Sequence, residues 1–381
     1  MKKSLLAVAV AAALPAFAYA QTNVVLSGNV KTGITQTKYS NGVANNGNHT
    51  AMNDGSSRFI ISGSEDLGGG LKAIFQVDNR FRPDDGGTQS LAGGNTFVGL
   101  AGGFGTVRLG KLDTYYYFGL DEHGARATAL QHSNTSILGY VNGSLGTTTV
   151  GTANTATVAR NSRLNNVIRW DSPNFGGLSG GLTYSTGASA GAGAGEGAGM
   201  GDGNKGQVWS ANIGYAAGPL NVGAAYFDEK VEGYKTFAAG SHEGTQAWRV
   251  FGGYNFGMFK VGLVYDEAEV SSVGGGDVKR GAWSLPVTAK LGAGTLLFTY
   301  SQAMDAKYNG SKDSNSGAKM YVVGYDYPLS KRTSVGVSYA VLNNDSNAAY
   351  GYFTGAALNN LTSPTAGQDQ KQLHLGVRHA F

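Results

Sequence analysis

Side chains alternate between apolar and polar or very small residues along almost the whole chain. In Val24-Val25-Leu26-Ser27-Gly28-Asn29-Val30-Lys31-Thr32-Gly33-Ile34 the even positions read Val, Leu, Gly, Val, Thr, Ile, and the odd ones Val, Ser, Asn, Lys, Gly. Far downstream, Val335, Val337 and Tyr339 alternate with Ser334, Gly336 and Ser338. A β-strand turns successive side chains to opposite faces, so each run has one apolar face and one polar face. No segment keeps a helical period.

The connections are of two kinds, and the kinds alternate strictly. Seven are short and Gly-rich, near Leu67–Gly70, Ala101–Phe104, Pro173–Gly177, Ala217–Pro219, Asn255–Met258, Leu291–Gly294 and Pro328–Lys331. Eight are longer and polar, near 39–56, 82–93, 112–162, 187–206, 230–245, 269–278, 304–317 and 342–370. The pattern predicts about sixteen antiparallel strands with both chain ends on the short-turn side, an even number as in bacterial outer-membrane barrels.

Alternating strands suit a soluble sandwich or propeller as well as a membrane barrel. Composition and layout favour the barrel. Only 14% of the 381 residues are charged, against about a quarter in soluble domains. Gly contributes 61 residues and Tyr 20. Mean hydropathy is −0.17, too low for a bundle of membrane helices. Aromatics such as Trp170, Phe175, Tyr184, Tyr254, Phe256, Phe259, Tyr265, Phe298, Tyr300, Tyr325 and Tyr327 gather towards strand ends, where the girdles of a membrane barrel sit. A sandwich gives no reason for loop asymmetry of this kind. With no Cys, a disulfide framework and a thiolate metal site are both excluded.

The first twenty residues read as a secretory signal, with Lys2 and Lys3, an apolar stretch, and Ala18-Tyr19-Ala20 before a cleavage site. Residues 21–381 then form one barrel domain, since a barrel closes only as a unit. Its loss leaves 27 basic against 25 acidic residues. That balance offers no clustered basic stripe for nucleic acid.

Several segments resemble the general porins of Gram-negative outer membranes, most of all the trimeric neisserial and Bordetella–Burkholderia type. They are Ser57-Arg58-Phe59 with Gly63-Ser64-Glu65-Asp66-Leu67-Gly68-Gly69-Gly70-Leu71-Lys72-Ala73; Phe97-Val98-Gly99-Leu100 with Phe104-Gly105-Thr106-Val107-Arg108-Leu109-Gly110-Lys111; Asp171-Ser172-Pro173-Asn174-Phe175; Tyr327-Pro328-Leu329-Ser330-Lys331-Arg332-Thr333; and Leu373-His374-Leu375-Gly376-Val377-Arg378-His379-Ala380-Phe381. The resemblance implies a passive pore for small hydrophilic solutes and inorganic ions, a homotrimer in outer-membrane lipid, and no cofactor. It also implies that terminal Phe381 is part of the signal read by the barrel-assembly machinery. A third long loop folding into the lumen is a further implication, matched here by Leu112 to Ser162.

Sixteen strands leave an aqueous channel rather than a filled interior. Strand parity then selects its wall. Phe59, Ile61 and Gly63 take the lipid face, which turns Arg58 inward; Ala73, Phe75 and Val77 do the same for Asp78 and Arg80. Lys31 faces water in the first strand, and Arg163 starts the sixth, where Ile168 and Trp170 face lipid. Lys31, Arg58, Arg80 and Arg163 are therefore expected on the constriction wall, opposite loop acids Asp113, Asp121 and Glu122. Each arginine could instead be a solvated strand-end charge or a local salt bridge. The excess of cations points to mild anion preference.

Other chemistry finds little support. His49, His123, His132, His242, His374 and His379 lack the spacing of a zinc site. Asp121 near His123 is poor evidence for a catalytic triad. The run from Gly187 to Gly206 lacks the strand–helix setting of a phosphate loop. A substrate-specific channel on the same fold stays open through Tyr115-Tyr116-Tyr117-Phe118 in the third loop. An adhesin or a barrel enzyme is the remaining alternative. The third loop departs from the resembled family in its length, in the uncharged stretch from Gly146 to Ala159, and in lacking the family's acidic Pro-Glu-Phe-Gly signature.

Overall fold

The computed structural model describes residues 23–40, 47–86, 91–115, 128–131, 136–141, 156–157, 163–186, 205–232, 242–272, 276–352 and 364–381. Its strands are β1 (Asn23–Ser40), β2 (Asn48–Asp54), β3 (Arg58–Gly68), β4 (Leu71–Arg80), β5 (Thr96–Gly102), β6 (Gly105–Asp113), β7 (Tyr140–Val141), β8 (Ala156–Thr157), β9 (Arg163–Asp171), β10 (Leu178–Ser185), β11 (Lys205–Ala217), β12 (Leu220–Glu232), β13 (His242–Asn255), β14 (Phe259–Ser272), β15 (Gly276–Leu291), β16 (Gly294–Ala303), β17 (Lys307–Tyr308), β18 (Ser311–Lys312), β19 (Ala318–Pro328), β20 (Thr333–Asn344) and β21 (Asp369–Ala380). Neighbours in the barrel pair antiparallel, and β21 pairs back onto β1, so the sheet closes. β2 and β3 act as one interrupted strand, flanking successive halves of β1. With β7, β8, β17 and β18 set aside as loop hairpins, the closed wall has sixteen strands.

Closure is completed by the chain's last residue. Gly28 N–H donates to Phe381 O at 3.0 Å, and Phe381 N–H donates to Gly28 O at 3.1 Å. A Cβ at position 28 would stand 2.3 Å from Arg58 O and 2.8 Å from Phe381 Cζ. Glycine is what lets the seam and the terminal ring approach there.

The two faces follow the predicted parity. Val98, Leu100, Leu109, Ile168, Leu182, Ile213, Leu263, Val337 and Leu375 project outward and are exposed on the isolated chain. Thr183, Ser185, Ser210, Ser284, Thr299, Ser301 and Ser338 alternate with them and are buried on the inner face. Aromatic rings pair along the outer wall towards the long loops, with Tyr184–Trp209 at 4.5 Å, Trp248–Tyr265 at 5.2 Å and Trp283–Tyr300 at 5.0 Å between centroids. Towards the short turns, Phe256 stacks on Phe259 and meets Tyr254 at a tilt.

The strands outrun the apolar pattern. The expected loop 39–56 contains β2, and β13, β14 and β15 continue into the expected loops 230–245 and 269–278. Beyond the lipid band no outward apolar face is required, so alternation lapses while the backbone ladder continues.

If Phe75 faces lipid and Gln76 the lumen, arginine at the two positions should behave differently. On the lipid face near the midplane it costs roughly 2–4 kcal/mol. Phe75→Arg should strongly lower the yield of folded barrel, and Gln76→Arg should leave it near normal. Gel mobility of unheated samples measures this; equal yields would refute the assigned phase.

Candidate functional site: the charged lumen

On the inner wall of β3 and β4, Arg58 and Arg80 share Asp78. Arg80 Nε donates to Asp78 Oδ1 at 3.1 Å, and Arg58 Nη1 lies 3.6 Å from Asp78 Oδ2. The carboxylate is 1% exposed, whereas Arg58 is 30% and Arg80 12% exposed. The acid is thus set behind its two cations, and the guanidinium groups face the water. Next to them, Arg163 donates from Nη1 to Asp113 Oδ1 at 3.3 Å and from Nε to Gly93 O at 3.1 Å. Arg58, Arg80 and Arg163 lie within electrostatic reach of one another. Three cations and two acids leave this group with a net charge of +1.

Two expectations change here. Asp113 is not a loop acid facing the basic wall. It ends β6, pairs with Arg163 across the β6–β9 ladder, and accepts from Asn95 Nδ2 at 2.7 Å. Arg163 cannot be placed by counting from Ile168 and Trp170. The register slips between Gly110 and Leu112, Asn166 has φ 53°, and Leu164 and Val167 are both buried. The ion pair, not parity, brings Arg163 to the cluster. Asp121 and Glu122 lie outside the described residues.

Two further groups escaped sequence reasoning. Near the short turns, Arg108 and Arg169 share Asp171, at 3.2 and 2.8 Å. The Arg108 guanidinium lies 5.2 Å from the Phe97 centroid, and that of Arg169 lies 4.1 Å from the Tyr115 centroid. Tyr115 O–H is within hydrogen-bond range of both Trp170 O and Asp171 Oδ1, 2.7 Å each. That ring is built into the wall, so it is not a free aromatic guide for solute; Tyr116 to Phe118 lie outside the described residues. On β13–β15, Arg249 and Arg280 flank Asp266 at 3.0 and 3.2 Å, and all three side chains are fully buried. Parity could have found this triad, because Trp248 and Val250 face outward and turn Arg249 in.

The triad holds part of the third loop. Arg280 Nη1 donates to Ile137 O at 2.9 Å, and Gly139 N–H donates to Asp266 Oδ1 at 3.2 Å. A second attachment is at Ala129 and Leu130. Ala129 N–H donates to Asp326 Oδ1 at 2.8 Å, His374 Nε2 donates to Ala129 O at 3.3 Å, and Lys31 Nζ donates to Leu130 O. Lys31 is therefore an inner-wall residue, as expected, but its ammonium is bound to loop backbone. Wall glycines make room for the segment. A Cβ at Gly376 would be 2.6 Å from Ala129 O, and one at Gly324 or Gly336 would be 2.9 Å from the end of Leu130. Leu130, Ile137 and Leu138 also pack with Val264, Leu297, Met320 and Val322, covering an apolar part of the inner wall. These described parts of the loop lie inside the barrel.

Among the described residues no group of His, Asp and Glu could hold a metal ion. A closed sixteen-stranded barrel with an apolar exterior and arginine-lined interior defines an outer-membrane pore. The Gram-negative porin family profile matches residues 7–347. Outer membrane porin protein 32 of Delftia acidovorans is 30% identical across the full length of both chains. The major outer membrane protein P.IB of Neisseria lactamica is 28% identical over 91% of this chain and 95% of its own. The solved anion-selective porin from Comamonas acidovorans is 25% identical, with a TM-score of 0.74 over 95% of this chain and 100% of its own. The chain belongs to the Gram-negative porin family; it is an outer-membrane diffusion channel rather than an enzyme.

Breaking a buried ion pair by removing one partner costs about 3–5 kcal/mol. Asp266→Ala removes the carboxylate between Arg249 and Arg280 and the acceptor for Gly139. Single-channel recordings should show more frequent current fluctuations than wild type at comparable barrel yield. A quiet channel would mean that the triad does not hold the loop.

Proposed function

We propose that this pore passes small hydrophilic solutes and inorganic ions with a mild preference for anions. The observation behind the reading is the layering at Arg58, Arg80 and Asp78, with buried acid behind and exposed guanidinium in front. Lys31, Arg58, Arg80 and Arg163 are assigned to the wall side of the constriction, and Asp121 and Glu122 to the loop side. In a narrow passage with low-dielectric walls, a small imbalance of fixed charge biases which ion enters.

Arg58→Ser with Arg163→Ser changes the local balance from +1 to −1, because Arg80 is left with Asp78 and Asp113. In a KCl gradient the wild-type reversal potential should report anion preference and the double variant cation preference. The difference should shrink in concentrated salt, where screening shortens to about 3 Å at 1 M. An unchanged potential in the variant would remove these residues from the constriction.

Residues 1–20 are assigned as a cleaved export signal and 21–381 as the mature barrel. A homotrimer in outer-membrane lipid is the proposed assembly, its contact drawn from the apolar face of Ile34, Met52, Val337 and Leu375 around the seam. The proposed recognition signal for the assembly machinery is Phe381, with Leu375 and Val377 on the same outer face. Deleting Phe381 should lower the amount of inserted barrel and leave the conductance of the remaining pores unchanged. Normal insertion would remove that assignment.

A further inference from the structure

Arg108 belongs to none of the constriction contacts, yet it is a lumen cation in an unusual setting. It alternates with outward Val107 and Leu109, and pairs in register with Arg169 across the β6–β9 ladder. One guanidinium nitrogen, Nη1, meets Asp171 at 3.2 Å, the plane rests near the Phe97 ring, and Nε is buried without a hydrogen-bond partner. No further protein partner is found for Nη2 among the described residues, and the side chain is 27% exposed. Arg169 takes a different role. It is bound by Asp171 and by Asp113 O, lies on Tyr115, and is almost buried. Two guanidinium groups against one carboxylate leave a charge of +1, and the exposed portion of it is Arg108.

The position separates this charge from the constriction. Arg108 is three residues from the start of β6 at the short turn, and Asp113 is the last residue of that strand. At about 3.3 Å per residue the two are roughly 16 Å apart along the strand. Screening reaches only about 8 Å at physiological ionic strength. Arg169 bridges part of that interval by donating to Asp113 O, so it is the Arg108 guanidinium alone that stands clear of the constriction on the short-turn side. Short turns mark the periplasmic face of such barrels, so the Arg108 group stands towards the inner mouth.

We propose that Arg108, held on Phe97 and oriented by Asp171, is a second, transient station for the oxyanion group of a small solute, carboxylate or phosphate in class. Nη1 is taken by Asp171 and Nε is buried, so Nη2 alone can donate to such a group, one charge-assisted hydrogen bond backed by the positive charge. The single excess charge keeps the hold weak, as passage requires. This rests on the anion-preference reading and adds a second place where it operates.

The chain has no Cys, so Arg108→Cys provides the sole thiol. Inorganic phosphate is titrated against chloride current in single pores, first from one side and then from the other. Wild type should be more sensitive from one side. In Arg108→Cys the half-blocking concentration from that side should rise about fivefold, the Boltzmann factor of about 1 kcal/mol for one unit charge acting through water at about 4 Å. A cationic thiol reagent should restore the sensitivity and an anionic one should lower it further. Because each pore is its own control, folding defects do not confuse the comparison. Equal phosphate block in untreated, cationic and anionic forms would overturn the station. The anion-preference reading is tested separately, by the wild-type reversal potential in KCl. A cation-selective wild type would defeat that reading, while the phosphate series would still decide on Arg108.

Discussion

In lipid, a backbone N–H or C=O without a partner costs several kcal/mol, so a sheet survives there only by closing on itself. Everything else in this structure is arranged around that closure. The seam joins β1 to β21 from Asn29↔Ala380 to Ser40↔Asp369, and the terminal Phe381 extends it by two hydrogen bonds to Gly28. β1 also has to serve β2 and β3 on its other edge, which is why it is the longest strand, at 18 residues. Closure fixes parity all round the ring. Parity in turn decides which residues meet lipid and which meet water.

The inner face is not uniformly polar. On the β14–β20 side it carries Val264, Leu297, Met320 and Val322, a surface that water would cover at a cost. The third loop covers it, with Leu130, Ile137 and Leu138 as the apolar contribution. Burying side chains of this kind is worth about 1.5–3 kcal/mol each. Polar contacts to Asp266, Arg280 and Asp326 then set where the loop backbone lies. Gly324, Gly336 and Gly376 set how closely it approaches.

Strand number, loop asymmetry and the inward direction of Lys31, Arg58 and Arg80 were legible from alternation, because closure enforces it across the lipid band. What was not legible has three physical origins. A bulge moves a residue without altering the local composition; with Asn166 at positive φ, counting from Trp170 no longer reaches Arg163. β2 carries only one large apolar residue, Met52, so its seven residues gave no alternation and it was hidden inside an expected loop; strands prolonged beyond the membrane, such as β13 to β15, lose their apolar face. Pairing across strands is a property of register, and register joined Asp113 to Arg163 rather than setting it opposite. Arg249, Asp266 and Arg280 could have been found, since their neighbours alternate cleanly, but a buried triad has no local signature that separates it from solvated wall charge.

The charge groups share a design. Arg58, Arg80 and Arg163 stand with Asp78 and Asp113; Arg108 and Arg169 stand with Asp171; Arg249 and Arg280 stand with Asp266. In the ion pairs seen among the described residues, each group has one cation more than its acids. Unpaired arginines at this density would repel one another and could not be packed into the wall, and fully neutralised ones would leave no field in the lumen. An excess of one per group satisfies both requirements. It lets rigid, hydrogen-bonded arginines line the channel, and on the anion-preference reading it keeps the pull of the two exposed groups on a passing anion weak. Strong attraction would slow release and defeat a diffusion channel. In the outer two groups the carboxylate is the more buried partner at Asp78 and the exposed guanidinium is the one presented to the lumen at Arg58 and Arg108. The triad at Asp266 is fully buried and Arg280 turns instead to one loop carbonyl, Ile137 O. The same pairing chemistry thus supplies field where the wall is wet and mechanical attachment where the wall is covered.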